Sequence, residues 1–179
     1  MCIRDSPRRS KFFTKQLEHF LLLTREEKLD PLAMKGSYAG AMGYGQFIPS
    51  SYRSYAIDFD DDGTRNIVTN PIDAIGSVAN YLSKHGWERN ATIAEALTKN
   101  DVNSNFKTSL SLKEPDALEL ASKINLPNKK YLQINFEDKE FWLGHKNLYV
   151  LSRYNRCSFY VMAVFLLSLE IDYAFRIKI

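Results

Sequence analysis

Only two cysteines occur in the 179 residues, Cys2 and Cys157, and no C-x-x-C pair is present. That excludes a disulfide framework and a cysteine zinc site. The three histidines, His19, His85 and His145, are scattered without ligand spacing. No run of lysine and arginine stands behind the net charge of +3, so the charge is read as a solvated surface and no nucleic-acid partner is expected. The longest apolar run, Phe159 to Leu167, is too short to cross a membrane. No signal peptide, internal repeat or low-complexity segment is visible. What remains is ordinary globular composition, 45% hydrophobic and 25% charged, enough to build one core with an insertion.

The first six residues, "MCIRDS", carry no apolar h-region, so Cys2 is not read as a lipidation site. Back-translated, the hexapeptide fits the end of a common transposon sequencing adapter. Residues 1–6 are therefore expected to be foreign, with the true beginning, and any signal or anchor in it, upstream of Pro7.

Helix signals dominate the first half. Arg9 to Glu27 carries Phe12, Phe13, Leu17, Phe20, Leu21 and Thr24 near helical spacing. Residues 30–35 suggest a short helical piece capped by Asp30, and Pro49-Ser50-Ser51 a helix start capped by a serine. A better defined helix has Asn70 as cap, Pro71 at its first position and Asp73 in its first turn. Its expected buried stripe is Ile72, Ile75, Val78, Ala79 and Leu82, and Gly86 ends it. Residues 88–148 read as a small α+β insertion. Strands are expected at 130–136 and in "EFWLG", a strand or connector at 147–154, and short helices at 92–99 and 114–124. The apolar run 157–171 is expected to be a buried helix, within a C-terminal segment 149–179.

Two stretches carry chemistry. "GSYAGAMGYGQFIPSSY" (36–52) holds four of the eight glycines and three tyrosines. Glycines let backbone approach a bulky ligand, and tyrosine offers an apolar ring with a hydroxyl at its edge. "DFDDDGTRN" (58–66) places Asp58, Asp60 and Asp62 at alternate positions before Gly63, the opening of a calcium loop. Thr64 would add its carbonyl. The twelfth position, where a bidentate carboxylate is usual, falls on Thr69, and Asp73 lies four residues beyond it. The alternative is an acidic turn without an ion.

With "NPIDAIGSVANYLSKHGW" and "SRYNRCSFYVMAV" following in order, the chain resembles the lytic murein transglycosylase B family of bacterial cell-wall enzymes. The match is near-continuous over 7–87 and resumes over about 141–164. Between them it rests on placement alone. The resemblance implies a mainly α (α+β), lysozyme-like helical core, of which 7–87 form one part, with an EF-hand-like calcium loop and a small β-containing insertion. It implies cleavage of the MurNAc–GlcNAc bond of peptidoglycan glycan strands without water, giving 1,6-anhydro-MurNAc ends. Such enzymes work in the periplasm, in some cases anchored to the outer membrane.

Residue by residue, the resemblance assigns substrate contacts to Ser37, Gln46, Tyr81, Tyr154, Asn155 and Tyr160. It assigns a structural Ca2+ to Asp58, Asp60, Asp62, Thr64 and Asp73, in a loop one residue longer than usual. The family's catalytic glutamate belongs to an E-[ST] motif before a "YPRR" region. Here "PRRS" begins at Pro7, no E-S or E-T pair occurs, and Glu18, Glu26 and Glu27 do not match. The chain is accordingly expected to be a C-terminal fragment, without its catalytic residue and inactive by itself. The competing expectations are a non-catalytic calcium-dependent glycan-binding module, a dockerin-like interaction domain, which would need a second acidic loop, and a lysozyme-type hydrolase.

Overall fold

The computed structural model describes residues 9–97, 132–135 and 141–177. They fall into two compact units, one ending at Tyr81 and the other beginning at Leu82. Residues 1–6, and the helix expected at 114–124, lie outside the described residues.

The first unit is helical. Helix α1 spans Ser10–Glu26, α2 Pro49–Tyr55 and α3 Pro71–Lys84, whose last turn passes into the second unit. Long-range polar contacts tie α1 to α2. The Gln16 side-chain oxygen accepts the Ser50 amide at 3.0 Å, so a residue of α1 satisfies an orphan N–H in the first turn of α2. The expected serine caps are corrected accordingly: the N-cap is Ile48, which makes no side-chain cap bond. Arg53 clasps Glu26 through both carboxylate oxygens, at 2.8 and 2.6 Å, and reaches His19 Nδ1 at 2.7 Å. A guanidinium can only donate, so Nδ1 accepts and the imidazole proton sits on Nε2.

At residues 30–35 a turn forms in place of the expected helix. Asp30 receives the Leu32 and Ala33 amides at 2.9 and 3.1 Å, and nothing propagates the coil. In α1 the buried residues are Gln16, Leu23 and Thr24, while Phe12, Leu17 and Leu21 are exposed.

Helix α3 is capped as expected. Asn70 Oδ1 takes the Ile72 amide at 2.9 Å. Its buried face is not the expected one. Asp73, Ala74, Gly76, Ser77 and Tyr81 are buried, and Ile72 and Ile75 are exposed. The cause is the segment packed on it. Ser77 Oγ accepts the Ile57 amide at 2.9 Å, and the Phe59 ring lies where a Cβ on Gly76 would meet it at 2.4 Å.

The second unit pairs a three-stranded antiparallel sheet with two helices. Strands β1 (Ala94–Leu97), β2 (Leu132–Asn135) and β3 (Phe141–Gly144) are ordered β1-β3-β2. Ala94 and Leu132 both face Gly144 across the central strand. Within the helix expected at 92–99, Ala94–Leu97 is instead a strand: pairing along β3 overrides the helical preference of "AEAL".

Helix α4 covers Lys146–Tyr154, where a strand or connector was expected. Its buried residues are Asn147, Leu148, Val150 and Ser152; the last three fall at alternate positions, as in a strand, and Asn147 breaks that period. Helix α5 spans Ser158–Ile177. Val161, Met162 and Phe165 join Ala94 and Leu148 in the core, and Trp142 meets Phe165 edge-on at 6.1 Å. The rest of α5 is not the buried helix expected: Phe159, Leu167, Leu169 and Ile171 are all exposed. Among the described residues no single helix is long and apolar enough to cross a membrane.

Asn147, itself buried, fastens α4 to the turn before the sheet. It accepts the Glu88 amide at 2.9 Å and donates to the Glu88 and Ala91 carbonyls at 2.8 and 3.2 Å.

Candidate functional site

The glycine-rich stretch folds into two consecutive tight turns. In the first, the Ser37 carbonyl accepts the Gly40 amide at 2.8 Å, and Ser37 Oγ accepts the Ala41 amide at 3.1 Å. In the second, Met42 and Phe47 form a bridge with reciprocal bonds of 2.9 and 3.0 Å, and both side chains are buried. The four residues between them stand at the surface as a small loop. Gln46 lies in the left-handed region at φ 49°, uncommon for a residue with a Cβ. Its side-chain amide donates back to the Gly43 carbonyl at 2.9 Å. Tyr44 is 66% exposed.

This loop rests on residues just past the acidic segment. The Tyr44 amide donates to the Ile67 carbonyl at 3.0 Å. Tyr52, buried beneath, donates its hydroxyl to the Arg65 carbonyl at 2.7 Å. Burial pushes the Tyr52 phenol above its ordinary value.

The acidic loop curls around its own first carboxylate. Asp58 accepts the Asp62 and Gly63 amides at 3.1 and 2.8 Å, and Asp62 accepts the amide and hydroxyl of Thr64 at 2.8 and 2.6 Å. Those bonds, the hydroxyl's first, hold the Asp62 carboxyl below the usual carboxylate range. One oxygen each from Asp58, Asp60 and Asp62 lie within 4.8 Å of one another. Three converging carboxylates form a hard oxygen set that fits Ca2+. Asp73 stands apart from this group. It is 0% exposed, and its oxygens accept the Phe59 and Asn66 amides at 2.8 and 2.7 Å, gripping the loop at both shoulders.

The other sequence-assigned contacts have distinct settings. Ser37 and Gln46 are exposed, while Tyr81 is buried in a ring cluster, 5.9 Å from Phe47 and 4.8 Å from Tyr55. In the second unit Tyr154 is half-buried at the end of α4. Asn155 is exposed and accepts the Cys157 amide at 3.0 Å, and Tyr160 is exposed in the first turn of α5.

Of the glutamates near the start, Glu26 is held below its ordinary pKa by the Arg53 hydrogen bonds, and Glu27 is paired with Arg65. For Glu26 that is the opposite of what a proton donor needs. The sequence reading passed over Tyr44 and Ile67. The M-G-Y-G-Q pattern could have flagged Tyr44, whereas Ile67 acts through its carbonyl and leaves no mark in the sequence.

Residues 1–169 match the family described as the Transglycosylase SLT domain. Over 168 residues the chain is 43% identical to membrane-bound lytic murein transglycosylase B of Escherichia coli (strain K12), covering 90% of this chain and 46% of the relative. Lytic transglycosylase SltB1 from Pseudomonas aeruginosa, in its catenated form, superposes with a TM-score of 0.84 at 41% identity, over 97% of this chain and 60% of that one. The Escherichia coli lytic transglycosylase Slt35, in complex with calcium, superposes at 0.80 with 39% identity, over 95% and 56%. The chain thus spans about half the length of the curated relative it matches. Its mostly helical fold is that of the lysozyme-like lytic transglycosylases. By sequence and by fold, this chain belongs to the transglycosylase SLT domain family.

Proposed function

We propose that this chain is the glycan-gripping, cation-stabilised part of a peptidoglycan lytic transglycosylase, acting on the MurNAc–GlcNAc bond of glycan strands. The observation that carries the reading is the fixed surface loop 43–46. It presents a left-handed Gln46 and an exposed Tyr44 ring on a rigid shelf, as an amide and a flat ring must be held to meet a sugar. Ser37 lies at the neighbouring turn. Tyr81 supports the loop from below through Phe47. Tyr154, Asn155 and Tyr160 are proposed as contacts near the reacting sugar.

The reaction needs one acid to protonate the leaving oxygen. The same group then takes the proton of the 6-hydroxyl as the anhydro ring closes. Glu26 and Glu27 are engaged with arginines and are not offered for this role. We therefore read the chain as binding glycan without turning it over. Ca2+ would be held by Asp58, Asp60, Asp62 and the Thr64 carbonyl, where it would neutralise converging carboxylates. Asp73 serves as the clamp that keeps the loop closed around it. The calcium complex of Slt35 supports this assignment. A murein substrate and the membrane-bound Escherichia coli relative support a periplasmic, membrane-associated setting.

The test is co-sedimentation with purified peptidoglycan, followed by mass spectrometry of the supernatant. The chain should sediment with the sacculi, and Gln46→Ala should weaken this about tenfold, the value of one well-placed polar contact. No anhydro-muropeptides should appear. Absence of sedimentation would sink the glycan reading. Anhydro products would show that one of the chain's own carboxylates serves as the acid.

A further inference from the structure

We infer that Gly43 and the Ile67 carbonyl are a positioning device that fixes Gln46 for its sugar; the role of Gln46 rests on the function proposed above. Gly43 has φ +68°, and a Cβ there would stand 2.3 Å from the Ile67 oxygen and 2.9 Å from its carbonyl carbon. Those are backbone atoms and cannot swing aside. Only a residue without a side chain lets the loop lie this low. Lying low brings the Tyr44 amide onto the same oxygen at 3.0 Å. It also places the Gly43 carbonyl where both the backbone amide of Gln46, at 3.1 Å, and its side-chain amide, at 2.9 Å, can reach it. The left-handed Gln46 is held by these two bonds to one acceptor.

The shelf is itself braced. Ile67 is 1% exposed, the Asn66 amide before it is held by Asp73 at 2.7 Å, and the Arg65 carbonyl takes the Tyr52 hydroxyl at 2.7 Å. A rigid carbonyl is therefore presented from beneath, and the loop conforms to it.

Gly40 provides the internal control. It shares the positive φ, +76°, but a Cβ there would meet nothing within 4 Å. Asparagine tolerates the left-handed region better than other side chains. Gly43→Asn keeps the collision with Ile67 while easing the φ cost, and Gly40→Asn carries the φ change alone.

Two readouts on the full chain separate positioning from mere stability. The first is amide hydrogen exchange at Tyr44–Phe47 without sugar, each variant held equally far below its own melting temperature. The second is calorimetric affinity for a GlcNAc–MurNAc tetrasaccharide. Gly43→Asn should speed exchange and weaken binding, each about tenfold, while Gly40→Asn leaves both within about twofold. Unchanged exchange in Gly43→Asn overturns the inference. So does faster exchange with undiminished affinity, or an equal loss in Gly40→Asn. If the unaltered chain binds no tetrasaccharide while exchange responds as expected, the shelf stands and the glycan reading falls.

Discussion

The side-chain amide of Asn70 donates to Asp60 at 3.0 Å, so the residue that caps α3 also steadies a carboxylate of the acidic loop. Asn70→Ala removes these bonds, and a longer one from the Asp73 amide, and should cost about 0.5–2 kcal/mol in urea unfolding, the range of a lost N-cap. Asn70→Asp keeps the cap but sets a further negative charge beside Asp60. It should be less stable than the unaltered chain in chelator, with calcium narrowing the gap. A gap indifferent to calcium would count against Asp60 facing the ion.

Calcium should raise the melting temperature by mass action. At a free concentration one hundred times the dissociation constant the gain is ~2.7 kcal/mol. Chelator should reverse it. Asp58→Asn and Asp62→Asn should flatten the response, because each removes a charge from the converging set. No shift at millimolar calcium would reject the site.

The Arg53 clasp predicts an acid limb. Hydrogen bonds from Arg53 depress the Glu26 carboxyl below its ordinary 4.5 in the folded state. A depressed folded value means that the unfolded chain takes up the proton first as pH falls. Its contribution is therefore complete above about pH 4.5 and is lost as pH drops through the folded value. Urea midpoints between about pH 5 and 2.5 should fall less steeply in Glu26→Gln than in the unaltered chain. Identical slopes would show that the clasp adds nothing.

Asn147 makes three bonds to backbone at residues 88–91 from a buried position. Truncation leaves those groups unpaired, so Asn147→Ala should destabilise by about 2–4 kcal/mol. Because β1 begins at Ala94, hydrogen exchange should accelerate at 88–97 before it does in α1. Uniform acceleration would argue that the turn is not a separate fastening.

How much of this was legible in the sequence depended on the range of the interaction. The Asn70 cap and the Asp58–Asp62 spacing are local chemistry, and the structure keeps both. The buried face of α3 was misread because Asp73, Gly76 and Ser77 are buried through hydrogen bonds and small size, which an apolar stripe cannot register. The cap supplied to α2 by Gln16 comes from 34 residues away and has no local signature. Helix α4 looked like a strand because Leu148, Val150 and Ser152 fall at alternate positions, while the buried residue that breaks the period, Asn147, is polar. The glycine-rich stretch is legible as a run of turns, but that its second turn rests on the Ile67 carbonyl leaves no mark in the sequence.

The contact between Phe59 and Gly76 also bears on how these two positions can change together. The Phe59 Cγ and Cβ stand 2.4 and 2.5 Å from where a Cβ on Gly76 would lie, so the glycine is obligatory while any side chain occupies 59. A larger residue at 76 becomes acceptable once position 59 has shrunk, and a ring at 59 can return only after 76 has reverted. Related chains should therefore drift along the pair in one order, small at 59 first, and single steps in the other order should be culled. In a double-substitution library selected for folding, Phe59→Gly with Gly76→Ala should survive where Gly76→Ala alone is depleted, because only glycine at 59 also removes the Cβ that stands 2.5 Å away.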